Sequence, residues 1–341
     1  MEKQRDAYWD NLKAILIFLV VVGHFLLPIS PKTGSVKAVF SWIYLFHMPA
    51  FVFVSGVFSK SYVRKGKKEY KLAGFLALYV FFTVGIWLIE LLFGRQIEWT
   101  DILSTSSAPW YMLAMFFWFL LLPFVSRLKP GIALPLFLLL GLFVGCFSHC
   151  GNFLAISRTI VLFPFFLAGY WFDGSLIGRI RPWMRLPAAL FLALCAFLLF
   201  RYMDRLAFYV NIMYAKSPYY ALGFSNRQGL VYRAVWYCLA ASMTAALMCL
   251  VSGRRSFLTC VGERTLGIYI LHRLLRDVCS FAGMYALLGS SRMRLPVCVL
   301  VSAAVLLLAS AKPVSAFFNS FFHLAFLFRP APPSDTERRQ A

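Results

Sequence analysis

Residues 11–28, NLKAILIFLVVVGHFLLP, hold one lysine and one histidine among otherwise uncharged side chains, and comparable runs recur along the chain. Uninterrupted apolar stretches of this length match the roughly 30 Å hydrocarbon core of a bilayer when wound as an α-helix. Inside hydrocarbon every backbone N–H and C=O needs an internal partner, so only helices and closed barrels span it. Barrel strands alternate apolar and polar residues; these runs do not. The fold class expected is therefore all-α, a polytopic transmembrane helical bundle. Composition agrees, with 61% of the 341 residues hydrophobic and 14% charged, against about 45–50% and about 25% in soluble domains. A soluble enzyme, a disordered chain and a disulfide-rich secreted module are thereby excluded.

About ten spans are expected, at 11–28, 36–58, 72–93, 110–125, 131–149, 158–172, 186–200, 231–252, 265–288 and 295–311. The phenylalanine-rich segment 313–328 reads as an interfacial helix or a further span. A membrane domain over 1–328 is then followed by a disordered cytoplasmic tail at 329–341. No convincing small-residue cleavage site follows the first run, so it is kept as a span rather than a signal peptide. An inside N-terminus puts about 21 of the 34 Lys and Arg residues in cytoplasmic segments, including SYVRKGKKEYK at 61–71, in line with the positive-inside rule. Both termini are then cytoplasmic. The net charge of +21 reads as contact with anionic membrane lipid and not nucleic acid, because no basic domain stands apart from the spans. Eight cysteines without framework spacing read as small core residues.

Lys13 and His24 lie eleven positions apart. On an α-helix that is about three turns plus 20°, so both project from one face, separated by roughly 16 Å along the axis. The distance is comparable to an extended pantetheine arm: a cation at the inner end holds phosphate while a histidine deeper in meets a thioester. Taken singly, Lys13 also reads as a snorkelling lysine and His24 as a satisfied core histidine. A second intramembrane histidine, His47 in FHMPAFVFVSG, sits at similar depth on the next span. Ionisable groups inside spans are costly and point to function.

These segments resemble the membrane acyltransferase-3 family. The opening RDAYWDNLKAILIFLVVVGH carries the K-x10-H spacing, and FHMPAFVFVSGVFSK is similar to that family's second span. SAPWYML at 107–113, RTIVLFPFFLAGYW at 158–171 and GIYILHR at 267–273 follow in family order. Within the family, the chain is most similar to the group related to fucose 4-O-acetylase. Where members often carry Arg-x-x-Arg after the second span, this chain has Lys68-x-x-Lys71. The resemblance implies O-acylation, usually O-acetylation, of an extracytoplasmic or lipid-linked carbohydrate hydroxyl, with acetyl-CoA as cytoplasmic cosubstrate. The location it implies is a cell membrane, of the bacterial plasma-membrane kind.

Acyl transfer needs a base for the acceptor hydroxyl and donors for the oxyanion. His24 is expected either to deprotonate the hydroxyl or to carry the acyl group transiently. His47 is expected to orient the acceptor or stabilise the oxyanion. Glu90 reads as the carboxylate partner of His24, or else as an interfacial residue facing water. Lys13, Arg64, Lys65, Lys67, Lys68 and Lys71 form a candidate phosphate cradle for the donor, or simply a topology signal. Arg158 is a candidate contact for acceptor or oxyanion, and His272, one turn after Tyr269, for the site or a polar helix contact. Trp110 and Tyr111, with Trp99, Tyr202, Tyr209, Tyr214, Tyr219 and Tyr220, offer aromatic faces for a sugar. Asp204, Asn211, Arg227 and Gln228 offer hydroxyl partners. Cys146, His149 and Cys150 share one helix face if the helix continues, but a closed metal site lacks a fourth ligand, and no metal is expected. The competing readings are a glycan or lipid-intermediate transporter or flippase using intramembrane charges as a proton relay, and an assembly partner without chemistry.

Overall fold

The computed structural model describes residues 6–30, 34–65, 69–97, 102–104, 108–289 and 291–323. Helices dominate and, among the described residues, no strand forms; one antiparallel bridge joins Ser104 and Phe153. In chain order, α1 is Ala7–Leu26, α2 Gly34–Lys65, α3 Glu69–Leu92, α4 Trp110–Val125, α5 Pro130–Phe143, α6 Ile156–Trp171 and α7 Ser175–Leu206. Two 3₁₀ segments, Ala207–Tyr214 and Tyr220–Leu222, lead to α8 Asn226–Leu250 and α9 Phe257–Gly262. The chain continues through α10 Thr265–Phe281, α11 Met284–Leu287, α12 Ser291–Ala309 and α13 Lys312–Ser320.

A helix lies over each expected segment, and the fold is an all-α polytopic membrane bundle. Among the described residues, six helices (α1, α2, α3, α7, α8 and α12) are long and apolar enough to cross a bilayer, while α4, α5 and α6 are shorter apolar helices. α10 has 17 residues and carries His272, Arg273, Arg276 and Asp277, yet His272, Arg273 and Asp277 are buried. It is held inside the protein by contacts with α1, α3, α12 and α13, not by hydropathy.

Several boundaries differ from the expected ones. α2 runs on to Lys65 and α7 begins at Ser175, so much of the basic sequence flanking both is helical. α5 gives way to a 3₁₀ turn at Val144–Cys146 and then to extended backbone at Phe147. Cys146, His149 and Cys150 therefore do not share a helix face. The region expected at 313–328 begins as α13, a nine-residue helix, about 14 Å long and too short to span. Residues 324–341, including the expected tail, lie outside the described residues.

Two local devices fix α2, the helix that carries His47. Pro49 lies inside α2; lacking an N–H, it leaves the carbonyl of Leu45 without its helical donor. The indole Nε1 of Trp236 on α8 donates to that carbonyl at 3.0 Å, so the lost bond is replaced from a neighbouring helix. Further along, α2 and α6 meet through reciprocal glycines. A Cβ on Gly56 would stand 1.9 Å from the Phe166 carbonyl oxygen, and one on Gly169 would stand 1.9 Å from that of Phe53. Only hydrogen fits at either place, which is how small residues let membrane helices approach. Folded yield of Gly169→Val after gel filtration in detergent should be a small fraction of the unmodified chain's. Gly178→Ala, where nothing lies within 4 Å, should match the unmodified chain; equal yields for both variants would contradict this packing.

Candidate active site

α1 is anchored at its first turns by polar contacts. Asn11 Nδ2 donates to the carbonyls of Ser252 (2.9 Å) and Arg254 (2.8 Å), and Thr259 Oγ1 donates to Asn11 Oδ1 at 2.7 Å. Gly262 presses against the Asp10 backbone so closely that a Cβ would come within 1.8 Å of the Asp10 oxygen. Asp10 is buried by that contact and pairs with Lys13 at 2.7 Å. The Lys13 ammonium also sits 4.8 Å from the centre of the Phe58 ring. Lys13 faces a cavity of about 440 Å³ that it shares with Lys71, Ser55, Tyr111, Glu263 and Tyr269. Lys71 lies 5.4 Å from the Phe119 ring and 5.7 Å from that of Tyr62. The Arg64 side chain and all of Lys68 lie outside the described residues.

His24, three turns along α1, lines a second cavity of about 480 Å³ with His47, Tyr44, Trp110, Arg158 and Tyr269. Its ring meets that of His272 edge-on, with centroids 4.9 Å apart. Nδ1 of His24 is enclosed and has no hydrogen-bond partner among the described residues. His47 Nδ1 lies 2.8 Å from the Ile43 carbonyl, and His272 Nδ1 lies 3.0 Å from that of Ile268. A carbonyl only accepts, so both rings carry their hydrogen on Nδ1 and present a lone pair at Nε2; this tautomer is assigned from geometry. Tyr44, one turn before His47, places its ring 4.6 Å from the imidazole.

The two cavities share a wall. Tyr269 lines both, and its hydroxyl donates to the carbonyl of Ala108, a residue of the histidine cavity. Its ring lies 5.4 Å from that of Tyr111 on the lysine side and 5.7 Å from that of His272. Lys13 and His24 thus open onto two chambers that meet at one side chain.

The expected residues divide accordingly. Arg158 is 6% exposed, donates from Nε to the Tyr214 carbonyl at 3.2 Å and lies 5.2 Å from the Trp110 ring. Trp110 lines the histidine cavity, but Tyr111, its chain neighbour, is buried in the lysine cavity with its hydroxyl 2.5 Å from Ser55 Oγ. Tyr111 is therefore not an outer-loop aromatic. His272 is fully buried behind His24 and does not line the cavity. Glu90 lies in electrostatic range of Arg273 and lines neither cavity; no hydrogen bond joins it to His24 among the described residues. The ring against His24 is that of His272.

From the connection after α7, Asn211, Met213, Tyr214, Lys216 and Ser217 reach the histidine cavity. Burial and the nearby Arg158 guanidinium lower the Lys216 pKa below the usual lysine range. Tyr202 and Tyr220 are exposed, Gln228 belongs to the capping box of α8, and Tyr219 is buried with its hydroxyl donating to the Leu142 carbonyl. Trp99 and the side chains of Asp204 and Tyr209 lie outside the described residues. No group of three metal-binding side chains gathers among the described residues.

Sequence reading missed Asp10, Tyr44, Arg273, Arg276 and Asp277. On α10, Arg273 pairs with Asp277, and Arg276 reaches the same carboxylate at 3.0 Å; both arginines face the histidine cavity. Removing one partner of a buried ion pair typically costs about 3–5 kcal/mol. Asp10→Asn should therefore lower the melting temperature in detergent, and the double variant Asp10→Asn/Lys13→Met should recover part of the loss. A double variant no more stable than Asp10→Asn would show that the pair is not what holds Lys13.

No curated protein and no solved structure matches the chain. A family model described as an acyltransferase domain, Acyl_transf_3, matches residues 6–320, a range that holds α1 to α13, the whole lining of the histidine cavity and all of the lysine cavity's lining except Phe322, and the chain accordingly belongs to the acyltransferase-3 family.

Proposed function

We propose that the protein transfers an acetyl group from acetyl-CoA, held from the lysine cavity, to a carbohydrate hydroxyl seated in the histidine cavity. The observation that carries this reading is the shared Tyr269 wall: a cation-lined chamber and a histidine-lined chamber meet within one membrane domain. Under the positive-inside rule the lysine cavity faces the cytoplasm, where acyl-CoA is made, and the histidine cavity faces outward. The protein would then act in a cell membrane on an extracytoplasmic or lipid-linked glycan. The family match favours a transferase over a transporter.

The residues suit the steps. His24 accepts the proton of the attacking hydroxyl as the new C–O bond forms, and Arg158 supplies positive charge for the oxyanion. Collapse breaks the C–S bond, and the proton passes from His24 to the departing CoA sulfur. His272, packed on His24, is a positioning residue that holds the imidazole ring in place. His47, with its hydrogen committed to Ile43, offers only a lone pair. That favours orienting an acceptor hydroxyl over stabilising an oxyanion.

The test is transfer of labelled acetyl from acetyl-CoA to candidate glycans by the purified chain in liposomes. A general base contributes about 10²–10⁴-fold. His24→Ala and His24→Gln should therefore lose at least about a hundredfold in rate at unchanged folded yield. Retained transfer in either variant removes His24 from the chemistry.

A further inference from the structure

Tyr44 stands one turn before His47 on α2, and packing holds its ring on several sides. Phe40 stacks on it with centroids 4.0 Å apart, while Tyr214 and His47 approach edge-on at 5.4 Å and 4.6 Å. A further neighbour is α1. A Cβ on Gly23 would stand 3.0 Å from Tyr44 Cε2, the ring carbon next to the one that bears the hydroxyl. Glycine at that position lets the phenol lie against the helix at the residue preceding His24. The ring is fixed, yet its hydroxyl is uncommitted: Tyr44 lines the histidine cavity, and its oxygen makes no hydrogen bond among the described residues. Other donors around His24 are already engaged. The Tyr269 hydroxyl donates to the Ala108 carbonyl, and His47 and His272 give their hydrogens to Ile43 and Ile268. A phenol that carries its proton and has no partner is prepared to donate to a substrate.

We propose that Tyr44 is a further catalytic residue, whose O–H donates to the acyl carbonyl oxygen and, with the positive charge of Arg158, stabilises the oxyanion. The assignment rests on the acyl transfer proposed above. An acyl carbon attacked by the hydroxyl that His24 deprotonates lies beside the His24 ring, and its oxygen gathers negative charge as the new C–O bond forms. Tyr44 and Arg158 serve that oxygen from two helices, α2 and α6. Tyr214 links them: its ring packs on Tyr44, and its carbonyl accepts from Arg158 Nε. No proton leaves the phenol. The C–O bond forms, the C–S bond breaks and the travelling proton goes by way of His24 to the CoA sulfur, so Tyr44 contributes a hydrogen bond alone. A donor locked in place before charge appears costs no reorganisation at the moment of reaction.

The test reads the carbonyl directly, by infrared spectroscopy of acetyl-CoA isotope-labelled at its acetyl carbonyl carbon and bound to the full chain in detergent. A hydrogen bond weakens the C=O bond, so the bound stretch should lie below that of free acetyl-CoA. Tyr44→Phe keeps the ring and its packing, and should return part of that shift with acetyl-CoA still bound. In transfer to methyl glycosides in liposomes, the same variant should lose about a hundredfold or more in kcat at an unchanged glycoside KM, the loss typical of one oxyanion donor. Gly23→Ala keeps the hydroxyl but crowds the ring. It should return part of the shift and lower kcat by a smaller factor, and it decides the matter if Tyr44→Phe folds poorly. Identical carbonyl spectra in the unmodified chain and Tyr44→Phe overturn the proposal. So does a raised glycoside KM at unchanged kcat, which would make the hydroxyl a sugar contact. The predicted spectral response without transfer to any glycoside would overturn the acceptor reading and leave the Tyr44 contact in place.

Discussion

An unpaired ionised side chain in hydrocarbon costs several kcal/mol, and α1 and α10 are arranged around that cost. At one end of α1, Asp10 takes the charge of Lys13. On α10, Asp277 takes the charges of Arg273 and Arg276 together. Lys71 faces the lysine cavity and Arg158 and Lys216 the histidine cavity, where water or a ligand can meet them. α1 and α10 touch through His24 and His272, and Tyr269 on α10 lines both the lysine chamber and the arginine-rich chamber.

Such a site is useful only if its walls are stiff. A catalytic group needs placement to within about 0.5 Å, and the helices supply it through backbone contacts that leave little slack. The Pro49 defect in α2, closed by Trp236, sits two residues from His47. The Gly56 and Gly169 crossings lock α2 against α6, the helix of Arg158. His47 and Arg158 are therefore carried by two helices whose separation is set by main-chain atoms rather than by adjustable side chains.

Much of this was legible in the chain itself. The apolar runs give the bundle, and the eleven-residue interval puts Lys13 and His24 on one side of α1. What depth and neighbourhood in sequence do not give is direction around a helix. Trp110 and Tyr111 look like one aromatic pair, yet successive helical residues point about 100° apart, and they enter different chambers. Glu90 shares only its depth with His24, and the ring against His24 comes from α10. Other omissions had a readable signal. Asp10 and Lys13 stand at i, i+3, and Arg273, Arg276 and Asp277 at i, i+3 and i+4, spacings that bring side chains together on a helix face. The charges that make α10 a poor hydropathy match are the ones that make it part of the site. The contributions of Tyr44 and Tyr269 depend on how distant helices pack, and no local pattern announces them.

The central claim is that donor and acceptor chambers meet across Tyr269 beside His24. Its most direct test is an experimental structure of the full chain with a non-reactive acetyl-CoA analogue, a thioether in place of the thioester. The account predicts nucleotide phosphates near Lys13 and Lys71, the arm passing Tyr269, and the acyl-equivalent carbon in contact with the His24 ring. Phosphates bound instead by Arg158, Arg273 and Arg276, or an acyl end directed away from His24, would contradict it.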